Sequence, residues 1–280
     1  MIIDFHTHIF SPAIEERREE LCRKDACFGA LYSNPKATLG SVEELLASMD
    51  DCGVEVSVVQ NIGWVKNDLC IQNNNYILEM VAKYPDRLVG FCSCQPKEGD
   101  AALKEMERCV SAGARGIGEL RPDIQEYDLN DSQFVAPLVA YAIKQDLIIS
   151  IHASEPVGHE YAGKGKVYPQ SLYEFAREHA GLKIVAAHVG GGLPFYELMP
   201  EVTACLKTLY YDTAALPFLY RPDIYRALMN MIDSDKVLYG SDWPLLSPGR
   251  VFEHIQTAGI SRRDRDNICG INAKRLLNIY

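Results

Sequence analysis

The first residues with obvious chemistry are His6, Thr7 and His8, which end an apolar opening run from Met1 to Phe5. Residues two apart on an extended strand point to one side, so His6 and His8 can offer two imidazoles to one divalent ion. Taken alone, such a pair is more often two histidines satisfied by their neighbours. Three further residues change that weighing. His152 follows Leu-Ile-Ile-Ser-Ile, His188 follows Lys-Ile-Val-Ala-Ala, and Asp242 follows Lys-Val-Leu-Tyr-Gly-Ser, each standing where an apolar run stops. Nitrogen donors with a carboxylate suit zinc, the first expectation, in one or two ions with manganese the alternative. His159, His179 and His254 fall in a loop or in helical patterns and read as surface or capping residues.

Something must bring residues so far apart in the chain together. Short β-rich runs at Ile2–Phe5, Val54–Gln60, Leu88–Cys92, Arg115–Gly118, Leu147–Ile151, Lys183–Ala187, Thr208–Tyr211 and Lys236–Tyr239 alternate with amphipathic stretches of helical length. That rhythm is the mark of parallel βα units. Ser41 and Glu44 form a capping box for a helix that closes on Gly53, and a second helical pattern stops before Pro85. Eight strand runs point to a closed (β/α)8 barrel, with a doubly wound open sheet as the alternative that periodicity alone leaves standing. Placement of the polar residues at strand ends favours the barrel, whose active sites are built there. The chain of 280 residues is read as one domain, residues 1–280. Two connections, Ile9 to Gly40 and Ala153 to Tyr168, are long enough to be lids or binding loops on one rim.

The segments MIIDFHTH, ISIHASEP, IVAAHVGG and YGSDWP together resemble the amidohydrolase superfamily, in its amidohydrolase-related branch of metal-dependent hydrolases and decarboxylases. The resemblance runs over nearly the whole chain and implies a distorted TIM barrel of the metal-dependent hydrolase type. By position it implies that His6 and His8 are first-strand metal ligands, His152 the fifth-strand ligand, and Asp242 an eighth-strand ligand that also takes a proton from metal-bound water. It leaves His188 either binding a second ion or free to act on the substrate as acid or base. Glu119 closes the fourth strand, where relatives carry a carboxylated lysine or a bridging glutamate. It is read as a direct metal ligand or as a contact to substrate or to another ligand, with a structural ion pair the third option.

Other residues carry two readings each. Arg121 could grip a substrate carboxylate in bidentate fashion or form a rim ion pair with Asp123. Trp243 could wall the pocket or simply pack beside Pro244. Tyr161, Lys164 and Lys166 lie in the fifth loop, where substrate contact and ordinary loop polarity are both open. Asp4 is placed on the face of His6 and His8, with stabilisation of the lower barrel or of a nearby backbone group as the plainer role. The glycines after His188 lack dinucleotide-binding spacing and read as a tight turn.

Composition excludes several classes. A formal charge of −10, from 28 basic and 38 acidic residues, disfavours nucleic acid, and the basic clusters are interleaved with acids. No apolar run approaches the ~18 residues of a membrane span, and the opening lacks the features of a secretory signal, so a cytoplasmic location is expected. Nine cysteines without a Cys-x-x-Cys pair read as reduced core residues, Cys92 and Cys94 included. The expected partner is a small-molecule substrate, with a homo-oligomer an open expectation. The leading functional expectation is hydrolysis of an amide, ester or lactone by metal-activated water. Non-oxidative decarboxylation of an aromatic or unsaturated acid is the alternative, and a non-catalytic binding barrel is the rival of another class. A serine-nucleophile enzyme finds no Gly-x-Ser-x-Gly elbow.

Overall fold

A computed structural model describes residues 1–279. Eight parallel strands follow one another in chain order: β1 Ile3–Thr7, β2 Val56–Gln60, β3 Leu88–Cys92, β4 Gly116–Leu120, β5 Ile148–Ile151, β6 Lys183–Ala186, β7 Leu209–Asp212 and β8 Val237–Leu238. The ring is drawn shut between the two ends of the chain. Phe5 N donates to Tyr239 O at 2.7 Å, Asp242 N to His6 O at 2.9 Å and His8 N to Trp243 O at 2.8 Å. The architecture is therefore a barrel, and the open doubly wound sheet is ruled out. The strand sequences are almost unbroken apolar runs because helices cover their outer faces.

Several strand limits differ from the pattern-based ones, and the differences matter for the site. His6 and Thr7 lie inside β1, Glu119 and Leu120 inside β4, and β8 shrinks to two residues after a 3-10 turn at Ser234–Lys236. Register slips between Asp4 and Thr7 in β1, and between Ile117 and Leu120 in β4. Phe5 packs edge-on against Phe91 at 5.7 Å in the barrel floor, yet the next residue, His6, also reaches the barrel interior. Strict strand alternation forbids this, and the slip permits it. Asp4 takes the plainer of its two roles, accepting from the backbone N–H of His6 at 3.3 Å. Its carboxylate accepts from Ser241 N at 2.9 Å and Ser241 Oγ at 2.5 Å, pinning the segment that carries Asp242.

The helix over Val42–Cys52 starts on the Ser41/Glu44 capping box and ends at Gly53 with φ 69, a left-handed value that glycine adopts without penalty. The Ile9–Gly40 connection is largely helical, with short helices at Pro12–Glu16, Arg18–Lys24 and Ala26–Tyr32. Asp25 fixes this cap, accepting from Phe28 N at 3.0 Å and from Val65 N at 2.8 Å, while Phe28 stacks on Trp64 at 4.9 Å. The Ala153–Tyr168 connection stays irregular. It is tied down where Gly165 N donates to Ser154 Oγ and Lys166 N donates to Asp123 Oδ2. At the opposite end of the barrel, Ala273, Leu276 and Leu277 of the last helix plug the floor against Ile3, Phe5 and Val185. All nine cysteines are free thiols, and Cys92 and Cys94 are buried. No helix among the described residues is long and apolar enough to cross a membrane.

Candidate metal centre and active site

The strand-end residues converge at the C-terminal mouth of the barrel. His6, His8 and Glu119 form one group of potential ligands and Glu119, His152 and His188 a second, with donor atoms within 4.8 Å of one another in each. Glu119 belongs to both. Its Oε1 lies 3.0 Å from His152 Nδ1, 3.6 Å from His188 Nε2 and 3.9 Å from His6 Nε2. Asp242 Oδ1 closes the cluster from the eighth strand, 3.4 Å from His8 Nε2 and 3.7 Å from His6 Nε2. All these residues are buried apart from Asp242, the most exposed of the set.

The outer hydrogen bonds decide which nitrogen of each ring faces inward. A backbone carbonyl can only accept, so His8 Nδ1 carries a proton for Gln60 O at 2.9 Å and His188 Nδ1 one for Ala214 O at 2.9 Å. His6 Nδ1 is held by Asp212 Oδ2 at 2.8 Å. In these three rings Nε2 is thereby turned toward the centre, an orientation typical of metal-binding histidines, whereas His152 turns Nδ1 to Glu119 and Nε2 to Ser154 Oγ at 3.2 Å. His6 Nε2 and His8 Nε2 stand only 3.1 Å apart, and two lone pairs at that separation repel unless a proton or cation lies between them. The donor set thus fits a divalent ion.

In the metal-free chain, protons take that role. Burial works against a charged His6, but Asp212, Glu119 and Asp242 outweigh it and raise its pKa to about 10. Burial likewise opposes charge on His188, yet the hydrogen bond to Glu119 and the nearby carboxylates lift it to about 9. Burial and the positive charge of Arg121 push His152 down to about 4. The carboxylates respond in kind: burial favours their neutral forms, but the histidines hold Glu119 well below its usual range and Asp242 at about 2. Neutral pH finds paired opposite charges here.

Asp212 escaped the sequence reading. It ends β7, and besides holding His6 its Oδ1 accepts from the backbone N–H groups of His188 at 2.9 Å and Ala214 at 3.0 Å. The rule that exposed the others, a polar residue closing an apolar run, also marks it in Leu-Tyr-Tyr-Asp. Asp212→Asn is expected to weaken metal affinity about 10- to 100-fold, the usual cost of losing a histidine's orienting carboxylate. Metal-buffered titration measures it; unchanged affinity would show that Asp212 merely fills space.

Other expectations need correction. Arg121 pairs with Asp123 at 3.9 Å, as one of its two readings has it, but it is 1% exposed and so lies inside the barrel mouth and not on its rim. Trp243 does not face the cavity. Its indole packs among Ile9, Val42 and Leu45 and presses on Gly40, where a Cβ would collide with the ring, because the turn after β8 sends it outward. The adjacent Pro244 and Leu245 line the cavity instead. Lys164 reaches back to carbonyls of its own loop, including His159 O at 3.2 Å, and so shapes that loop. His159, assigned to the ordinary surface, lines the cavity mouth with Tyr161. The glycine-rich turn is tighter than expected, since His188, Val189, Gly190, Gly191 and Gly192 all have left-handed φ.

Above the cluster opens a cavity of about 450 Å³. Its walls are mostly apolar, supplied by Leu31, Tyr32, Phe218, Leu219 and Leu245, while the ionisable groups gather at its base. An eight-stranded barrel with a histidine and carboxylate centre at its C-terminal mouth defines the class. The sequence profile of the amidohydrolase family matches residues 3–279, and the chain belongs to that family.

Among known proteins, the chain is similar to gamma-resorcylate decarboxylase of Rhodococcus jostii, at 25% identity over 256 residues covering 76% of this chain and 77% of the relative. The crystal structure of 5-carboxyvanillate decarboxylase from Sphingomonas paucimobilis superposes with a TM-score of 0.81 at 18% identity, covering 100% of this chain and 99% of that one. A dihydroxybenzoic acid decarboxylase from a Polaromonas species, with bound manganese and the inhibitor 2-nitroresorcinol, gives a TM-score of 0.69 at 20% identity over 99% and 97% of the two chains.

Proposed function

We propose that this chain is a metal-dependent, non-oxidative decarboxylase of a small aromatic or unsaturated carboxylic acid. The observation that carries this reading is that relatives found by sequence and by fold agree on decarboxylation, with none of the three described above acting as a hydrolase. It takes precedence over the leading sequence expectation of amide, ester or lactone hydrolysis.

His6, His8, His152 and Asp242 are the residues that would hold the ion, with Glu119 beside them. Manganese joins zinc as the metal to test because a relative of the same fold binds it. When bound, the ion supplies Lewis acidity that draws electron density from the substrate oxygens it meets. The chain's own residues do the rest. Apolar walls exclude water and suit a flat conjugated acid. His188, anchored through Nδ1, presents Nε2 as the acid that delivers a proton to the carbon bearing the carboxylate. The carbon–carbon electron pair returns to the substrate as carbon dioxide leaves, and His188 regains its proton from solvent. Glu119 stabilises the imidazolium between turnovers.

The test pairs metal analysis with product detection. Protein loaded with Mn2+ or Zn2+ is offered hydroxybenzoates, dihydroxybenzoates and unsaturated acids, and carbon dioxide is measured. Parallel assays use esters, lactones and amides. Metal-dependent carbon dioxide release is expected; ester or lactone turnover with none from any acid would return the hydrolase reading to first place.

A further inference from the structure

Among the described residues, Arg121 is the one buried cation at the cavity whose hydrogen bonds are not complete. It follows β4 directly, and its stem is wedged against Gly63, where a Cβ would lie 2.8 Å from Arg121 Cβ. Its backbone N–H is taken by Gln125 Oε1 at 2.9 Å. Of the guanidinium nitrogens, Nη2 donates to Gly163 O at 2.7 Å, while Nε and Nη1 are buried without any partner among the described residues. Asp123 answers this charge only at ion-pair distance: its Oδ2 stands 3.9 Å from Nη2, too far for a hydrogen bond, and already accepts from Lys166 N. A buried guanidinium left in this state is destabilising relative to one whose N–H groups all find acceptors. What the guanidinium lacks is hydrogen-bond acceptors at Nε and Nη1.

We infer that Arg121 seats a carboxylate of the substrate and is a specificity-determining residue. Nε and Nη1 each share an edge of the guanidinium plane with Nη2. Whichever edge Gly163 leaves open therefore presents two parallel N–H groups, which match the two oxygens of a carboxylate. Place and reach agree with this role. Arg121 lines the same cavity as the histidines, and the point where a Gly165 Cβ would sit is 3.1 Å from both Arg121 Nη2 and His152 Cδ2. Guanidinium and ligand cluster are thus no further apart than twice that distance, on either side of Gly165, with Asp123 Oδ2 2.7 Å from the same point. The inference rests on the decarboxylase reading for its substrate class, but its test needs no turnover.

Calorimetric binding of benzoate, salicylate and 2,6-dihydroxybenzoate is compared with that of the matching carboxamides, in metal-free and metal-loaded protein. Wild-type protein is expected to prefer each acid over its amide. Arg121→Met is expected to weaken acid binding about 10- to 100-fold with amide binding nearly unchanged, and Arg121→Lys to recover part of the difference. Ethylguanidinium added to Arg121→Ala is expected to restore some acid affinity, which a purely structural role would not allow. Thermal melts confirm that each variant folds. No acid preference in the wild type, or equal losses for acids and amides, overturns the inference. If acid selectivity holds while no acid yields carbon dioxide, the decarboxylase reading falls and the Arg121 assignment survives.

Discussion

His188→Asn is expected to lower kcat about 10²- to 10⁴-fold, the range ascribed to a positioned acid or base, with metal content and ligand affinity close to wild type. Asparagine is the informative replacement because it tolerates the left-handed backbone at this position, where φ is 54. Its amide can also donate to Ala214 O as the imidazole does. What it cannot do is carry a transferable proton. Asp242→Asn provides the control, since a lost metal-binding carboxylate should reduce metal content as well as rate. If His188→Asn lost metal in proportion to activity, His188 would be a ligand and the proton would have to come from elsewhere.

The second large effect concerns pH. For metal to bind, His6 must surrender the proton that its pKa of about 10 retains, so apparent affinity for Mn2+ or Zn2+ should rise about tenfold per pH unit. From pH 6 to pH 9 this amounts to roughly 10³-fold. Stability of the metal-free protein should run the other way. The folded-state values for His6 and His188, about 10 and about 9, lie above the ~6.5 of an unfolded histidine. Their stabilisation is therefore complete below pH ~6.5 and is lost as pH rises through 9 to 10. Asp242, lowered to about 2, loses its share only in strong acid. A fall in Tm on the order of 10 °C between pH 6 and pH 10 is expected without metal, and a much smaller one with it. Chelator-treated and reloaded samples followed by calorimetry measure both trends, and pH-independent metal affinity would contradict the proton occupancy described for His6.

The barrel was legible because each strand is an apolar run and each run ends in a polar residue. The same rule exposed His6, His8, His152, His188, Asp242 and Glu119, which the fold gathers into one cluster. It failed where side-chain direction depends on geometry beyond periodicity. The slip in β1 lets Phe5 and His6 both turn into the barrel, and no alternation pattern reveals it. Trp243 and Leu245 are two residues apart on one turn, yet one packs outward and the other lines the cavity. Arg121 looked like a rim residue because its burial comes from Gly63 and Gly163, on connections distant in sequence. His159 reached the cavity only because the loop carrying it folds over the mouth, held by Lys164.

The barrel's closure joins the chain's two ends at its most reactive point. Asp4 and Ser241, 237 positions apart, share a buried hydrogen bond beside the residues that would grasp the ion, and His6 O accepts from Asp242 N. A nascent chain therefore lacks the complete centre until its last strand has emerged and found its first. Contacts of such separation form late, because the entropy of closing the intervening loop must be overcome first. Metal capture by this centre would then require a finished chain: one truncated before β8 retains His6 and His8 but forfeits Asp242 and the seam, and should remain both unmetallated and incompletely folded.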